Sequence, residues 1–339
     1  MSRKLITIST IMTLMSTSVI ADVPNVAVDI APIHSLVSRV MDGVGAPKLI
    51  VQSGASPHGY RLRPSEAKAL QDADHVFWMG EELTPWLDSA IGTLASKASV
   101  TTLLDQEGVI LHDFREGALF EAHDHSAHGD DDHDDHDDHD DHKDHDDHDD
   151  HDDHDDHKDH DDHDDHDDHG SHDPHAWLSP ENAKLWLNII ASKLSVSDPE
   201  NAATYFMNAA AGQAEIEAMI AEVKATLKPV QGGKFVVFHD AYQYFENDFD
   251  FYASGAISLG DSSDPSPARI EKVQKRIRDE GIQCVLAEPQ FKKGLVATVM
   301  EGSDATASVI DPLGAELETG PKLYTRLIKN MAKTLRNCL

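Results

Sequence analysis

Short runs of apolar residues alternate along the chain with segments whose apolar residues recur at helical spacing. The apolar runs predict strands at residues 26–30, 49–52, 76–79, 100–104, 235–238, 251–257, 284–287 and 308–310. The helical spacing predicts helices at residues 36–41, 65–70, 85–95, 267–280, 294–301 and 322–337. The alternation occurs twice, so we predict two α/β lobes with mainly parallel sheets.

One long helix is predicted between the two lobes. Residues 199–227 are rich in Ala, Glu, Met, Gln and Lys and contain a single Gly and no internal Pro, which favours a helix of about 40 Å. Ser179 and Pro180 mark the start of a preceding helix as its cap and first residue. We therefore divide the chain into an N-terminal lobe at 22–198, a linking helix at 199–228 and a C-terminal lobe at 229–339.

Residues 123–172 interrupt the first lobe with a low-complexity segment of almost no apolar content. Such a segment cannot bury enough surface to fold, so we predict a disordered insertion. An acidic solvated linker is the simpler interpretation, but it would not need imidazole, and the composition favours weak metal binding. The period of three matches a polyproline II helix. The candidate weak ligands recur at every third position: His133, His136, His139, His142, His145, His148, His151, His154, His157, His160, His163, His166, His169 and His172.

The negative charge of the chain is concentrated in the same segment. The net charge is −34, and residues 124–168 contribute −24 of it through 26 Asp and 2 Lys. The rest of the chain carries the charge of an ordinary solvated surface. This distribution argues against nucleic acid as a partner and favours cations.

The N-terminus has the features of a secretory signal. Arg3 and Lys4 precede an apolar stretch, and small residues end it at about Ala21. The stretch is shorter and more polar than a membrane-spanning helix, although an anchor is the alternative interpretation. We predict that residues 1–21 direct the chain to the periplasm.

The chain has two cysteines, Cys284 and Cys338. In an oxidising compartment an even number suggests one disulfide. The alternatives are two free thiols or a metal-binding pair, but no C-x-x-C spacing supports a metal site.

Three of the six histidines outside the insertion share one setting, a loop just before a helix. These are His58, His175 and His239, and His239 also ends an apolar strand, after which Asp240 can cap the next helix. Ligands bind at the carboxyl ends of strands in open α/β sheets. Each histidine by itself has a simpler interpretation, as a solvated loop residue or a core residue. Their recurrence predicts a shared zinc site in the cleft between the lobes.

The remaining histidines have weaker settings. His34 follows a strand and is interpreted as a loop histidine, with a secondary metal site as the alternative. His75 and His112 have no metal-like context. Glu288 lies at a strand end and either supports a ligand or holds the cleft together.

Five motifs resemble the zinc-specific solute-binding proteins of ABC importers, the ZnuA type. They are GASPHGYRLRPS at 54–65, HAWLSP at 175–180, FHDAYQYF at 238–245, AEPQF at 287–291 and DPLG at 311–314. The resemblance covers essentially the whole mature chain. It implies that His58, His175 and His239 are the zinc ligands and offers Asp311 as a fourth, direct or through water. Manganese-binding relatives carry a carboxylate at the third place, so His239 favours zinc.

The resemblance also implies a periplasmic, monomeric protein that carries Zn²⁺ as its transported ligand to an inner-membrane permease. Two other functions stay open at this point. A periplasmic zinc buffer or chaperone would have the same ligands and no transporter. A zinc hydrolase also uses three histidines, but the chain has no H-E-x-x-H motif and no G-x-S-x-G motif.

Overall fold

The computed structural model describes residues 23–115, 119–120, 172–258, 260, 265–290 and 293–339. The predicted signal sequence lies outside the described residues. So does the predicted insertion apart from His172.

The N-terminal lobe is built on a four-stranded parallel sheet in the order β2-β1-β3-β4. Its strands are β1 (Val26–Val28), β2 (Lys48–Leu49), β3 (His75–Trp78) and β4 (Ser99–Thr102). Its helices are α1 (Ala31–Val40), α2 (Pro64–Gln71), α3 (Pro85–Leu94) and α4 (Pro180–Ser197). Each of these helices has a proline in its first two positions, where the missing N–H would have no helical partner. Ser179 caps α4 as predicted, since its hydroxyl accepts a hydrogen bond from the Asn182 N–H at 3.3 Å.

The C-terminal lobe repeats this architecture. Its strands are β5 (Phe235–His239), β6 (Ala256–Ser258), β7 (Cys284–Ala287) and β8 (Thr306–Val309), and they form a parallel sheet in the order β6-β5-β7-β8. Its helices are α6 (Gln243–Phe249), α7 (Pro267–Glu280), α8 (Lys293–Met300) and α9 (Leu323–Cys338). The predicted two lobes of parallel α/β structure are therefore confirmed.

In both sheets the chain reverses its direction of winding between the two central strands, which is where open α/β sheets bind ligands. In the N-terminal lobe this position is occupied by the buried side chain of Asp29. Its carboxylate accepts hydrogen bonds from the N–H groups of Ile30 and Met79, both at 2.7 Å. Burial raises the pKa of Asp29 to about 7. In the C-terminal lobe the equivalent position holds His239 and Glu288.

The long helix α5 (Ala202–Leu227) runs along both lobes and packs against α1, α4 and α9. Its buried residues recur at helical spacing along one face. At Gly212 a β-carbon would lie 2.9 Å from Leu187 of α4 and 3.2 Å from Arg39 of α1, so the close approach of three helices requires glycine there. One hydrophobic core contains residues of both lobes and of α5, and each lobe has a smaller hydrophobic cluster of its own. None of the helices in the described part of the chain has the length and hydrophobicity that a membrane crossing requires.

Most predicted elements differ from the observed bounds by no more than three residues, and two differ by more. The first helix begins at Ala31 instead of residue 36, because Pro32 starts it immediately after β1. The strand predicted at 251–257 is wrong over its first half, and only Ala256–Ser258 is strand. Phe251 lies in a buried loop, where it packs on Phe235 with ring centroids 5.5 Å apart. A buried loop can have the same run of apolar residues as a buried strand, and this run led to the wrong prediction.

Cys284 at the start of β7 and Cys338 at the end of α9 form a disulfide, with their α-carbons 5.6 Å apart. The predicted bridge is therefore confirmed. It joins the last helix to a central strand of the C-terminal sheet.

We expect the double substitution of Cys284 and Cys338 by Ala to lower the free energy of unfolding by about 4 kcal/mol, because the bridge closes a loop across 54 positions. Denaturant unfolding of both proteins measures the difference. Reductant should destabilise the natural chain by a similar amount and leave the variant unchanged. An unfolding midpoint that is the same in all four cases would contradict a stabilising bridge.

Candidate metal centre

His239 is the last residue of β5, and its side chain is buried and fixed by a carboxylate from the neighbouring strand end. Its Nδ1 lies 2.5 Å from Oε1 of Glu288, which follows β7. A carboxylate only accepts hydrogen bonds, so the imidazole carries its proton on Nδ1 and directs the lone pair of Nε2 the other way. Of the two roles weighed for Glu288, the contact supports orientation of this histidine.

His175 is held in the same manner by a different part of the chain. Oδ1 of Asp173 accepts a hydrogen bond from the His175 N–H at 3.0 Å and lies 2.6 Å from its Nδ1. The ring also packs against Trp177, with centroids 5.1 Å apart. Both histidines are 5% exposed or less, so neither is a solvated loop residue.

The two imidazoles face each other across a short gap. Nε2 of His175 lies 3.4 Å from Nε2 of His239. Two nitrogens that each bind zinc at about 2.05 Å with tetrahedral angles are separated by about 3.3–3.4 Å. Because both Nδ1 atoms are bonded to carboxylates, the two Nε2 atoms face the same gap. Either a proton shared as an N–H···N hydrogen bond or a metal cation can lie between two such nitrogens.

His58 approaches the pair from the loop after β2. The loop is anchored by Trp86 of α3, whose indole N–H donates to the Pro57 carbonyl at 2.7 Å. It is also anchored by Tyr60, whose hydroxyl donates to Glu66 at 2.8 Å. The ring centroid of His58 lies 5.7 Å from that of His175. The structure therefore brings together all three histidines that the sequence singled out.

The three histidines line one small cavity of about 10 Å³, together with Pro57, Trp177, Gln290, Pro312 and Leu313. With the side chains as they stand, the described residues contain no group of three or more His, Cys, Asp or Glu side chains arranged to hold a metal ion. The gap between His175 and His239 already has the spacing of a ligand pair. A three-histidine site therefore requires His58 to move closer.

Asp311, the suggested fourth ligand, follows β8 but is not among the residues that line this cavity. Its Oδ1 accepts hydrogen bonds from the N–H groups of Leu313 and Gly314, and its Oδ2 from that of Ala315. The carboxylate therefore shapes the 311–315 turn.

The other histidines have separate structural roles. His34 is not in a loop as expected but in α1, where its Nε2 lies 3.2 Å from the Pro47 carbonyl. His75 bonds Ser197, and His112 packs on Tyr244. Burial lowers the pKa of all three, which favours neutral imidazole. His172, the last candidate of the insertion, pairs with Asp113 at 2.9 Å.

Asp240 does not cap the following helix, which begins only at Gln243. Its carboxylate instead binds the guanidinium of Arg115, which also binds Glu246 at 2.6 Å. Burial raises the pKa of both acids, and Arg115 opposes that rise. The charge of two buried carboxylates is thus offset by a residue from the other lobe, directly beside His239.

Sequence reasoning missed Asp173 and Arg115. Asp173 had a readable signal, because an Asp two residues before a histidine commonly accepts the backbone N–H of that residue. Arg115 had none, since its partners lie 125 and 131 positions away.

The fold and the buried histidines define a two-lobed α/β binding protein with a candidate metal centre between the lobes. The chain belongs to the family described as zinc-uptake complex component A, periplasmic, whose model matches residues 26–338. The family resemblance seen in the motifs is therefore confirmed. The family is a component of an uptake system and not an enzyme, so the zinc hydrolase is set aside.

Curated relatives agree over nearly the whole length. The high-affinity zinc uptake system protein ZnuA of Brucella abortus is 50% identical over 93% of this chain and 91% of its own. The protein of the same name from Paracoccus denitrificans is 45% identical over 94% and 93%. A crystal structure of ZnuA, 20% identical, superposes with a TM-score of 0.68 over 94% of this chain and 99% of that one. A zinc-bound ZnuA with residues 138–173 deleted gives the same score and identity over 94% and 98%.

We expect Glu288→Gln and Asp173→Asn each to weaken tight zinc binding by about 10–100-fold, because a neutral amide orients and polarises the bonded imidazole less well. Competition with a zinc-binding dye measures the affinity.

Asp198→Asn is the matched control. Asp198 is a buried carboxylate that bonds Tyr205 and Asn201, away from the candidate centre. It should lower stability and leave zinc affinity unchanged. Equal losses of affinity in all three variants would mean that general destabilisation, and not support of the histidines, is being measured.

Proposed function

We propose that this chain captures Zn²⁺ in the periplasm with His58, His175 and His239 and delivers it to the permease of an ABC importer. The observation that carries the proposal is the 3.4 Å separation of the His175 and His239 Nε2 atoms, with each Nδ1 bonded to a carboxylate. The names of the relatives support zinc as the ligand.

Three neutral imidazoles favour zinc over manganese and magnesium, which prefer oxygen ligands. Two of the nitrogens are already at the zinc spacing, so the movement of His58 is the step that completes the site. Because α5 and a shared core connect the lobes, we propose that loops and side chains move more than the lobes do.

We also propose that the chain acts as a monomer and does not have nucleic acid as a partner.

A zinc buffer or chaperone without a transporter is the alternative. Both functions need the same ligands, so binding measurements cannot separate them. Zinc uptake by vesicles that contain the purified permease and ATPase can. Uptake that does not depend on this chain would favour the buffer.

We expect Ala at His58, His175 or His239 to weaken tight zinc binding by at least 100-fold, since each variant removes a ligand. Ala at His75 or His112 should change the affinity less than threefold, because neither lies at the cavity. Zinc competition titrations of the five variants make the comparison. Similar losses in all five would refute the three-histidine site.

We further propose that the histidines at 133–172 form a weaker store of several zinc ions, with the acidic residues around them as added donors. Deleting residues 123–172 should abolish the weak binding and keep one tight site. Zinc needs neutral imidazole, so binding to the store should fall as the pH drops below about 6.5. Calorimetry on both proteins at several pH values measures this. Loss of the tight site on deletion would show that the insertion supplies one of its ligands.

A further inference from the structure

Gln290 lies in the turn that follows β7, two residues after Glu288, and lines the same cavity as the three histidines. Gln290 lies outside the sheet, since β7 ends at Ala287. Its side chain is therefore a further polar group at the candidate metal centre.

The orientation of the Gln290 amide follows from its partner. Its Nε2 donates to Oε2 of Glu288 at 2.7 Å, while Oε1 of the same carboxylate receives His239 Nδ1. An ionised carboxylate offers only acceptors, so Gln290 must turn its NH₂ group toward Glu288. The amide oxygen is then the group that Gln290 offers to the cavity, and it is an acceptor.

Asp311 is poorly placed for the same purpose. Its two oxygens already accept three backbone hydrogen bonds of 2.6–3.0 Å in the 311–315 turn. A direct bond to zinc would compete with these hydrogen bonds, and Asp311 is not among the residues that line the cavity.

Resting on the proposed function, we infer that the fourth zinc ligand is a water molecule whose hydrogen bond is accepted by Oε1 of Gln290. Three histidines and one water are a common zinc ligand set, and the metal makes its water a strong donor. The charge also balances without Asp311. Three neutral imidazoles and a water leave the charge of Zn²⁺ at +2, and the carboxylates of Asp173 and Glu288 offset it.

A water ligand gives the bound zinc one position that exchanges without breaking a bond between the metal and the protein. An incoming ligand can take this position before any histidine leaves. Gln290 thereby sets how long the water stays and how readily zinc is surrendered.

The test uses the full-length chain loaded with zinc and mixed with excess chelator, with the slow phase assigned to the tight site. Gln290→Leu removes the acceptor and should weaken tight binding about tenfold, mainly through faster release. Gln290→Glu places a carboxylate in reach of the metal and should slow release. Asp311→Asn should stay within about threefold of the natural chain.

A double-mutant cycle separates contact with the water from an effect through Glu288. If Gln290 acts on the water, Gln290→Leu still speeds release in a Glu288→Gln background. If the effect disappears there, Gln290 only positions Glu288 and the inference is wrong. A large loss of affinity in Asp311→Asn, with none in Gln290→Leu, would overturn it in favour of Asp311. Tight binding that survives loss of the histidines would instead refute the proposed function.

Discussion

Two imidazole–carboxylate hydrogen bonds, from His175 to Asp173 and from His239 to Glu288, set the geometry of the candidate metal centre. They hold two imidazole nitrogens 3.4 Å apart in a buried gap, where two neutral rings repel each other through their lone pairs unless a proton or a metal cation lies between them. Side chains free to rotate would turn away. The surrounding fold therefore has to supply the rigidity, and it does so with two parallel sheets whose strand ends face one cleft.

The two lobes contribute unequally to this arrangement. The pair of preset histidines is assembled largely by the C-terminal sheet and by the short segment before α4, which is tied to that lobe through Tyr244. The N-terminal lobe supplies His58 on a loop anchored at its neighbour Pro57. Arg115 crosses between the lobes to the residue beside His239. Removing its charge would leave two buried carboxylates without their cation, so this ion pair joins the lobes close to the candidate metal centre.

Most of the architecture was predictable from local pattern, and the reasons for the failures are physical. The apolar runs of β5 and β7 and the composition of α5 gave nearly correct bounds, because buried parallel strands and long helices differ in period and in composition. Phe251 misled the assignment since a buried loop is as apolar as a strand. The three histidines were found from their loop-before-helix setting, whereas Arg115 and Gln290 depend on contacts that only the assembled fold creates.

The pairing of Asp113 with His172 has a consequence for how this family can vary. The two residues form an antiparallel bridge, and the Asp173 N–H donates to the His112 carbonyl beside it. Residues 113 and 172 are 59 positions apart in the sequence and are thus held side by side in the folded body. Doubling the length of a flexible loop costs only about 0.6 kcal/mol in closure entropy. For the insertion predicted from the sequence, a gain or loss of histidine repeats between these ends would accordingly change the stability of the folded body very little.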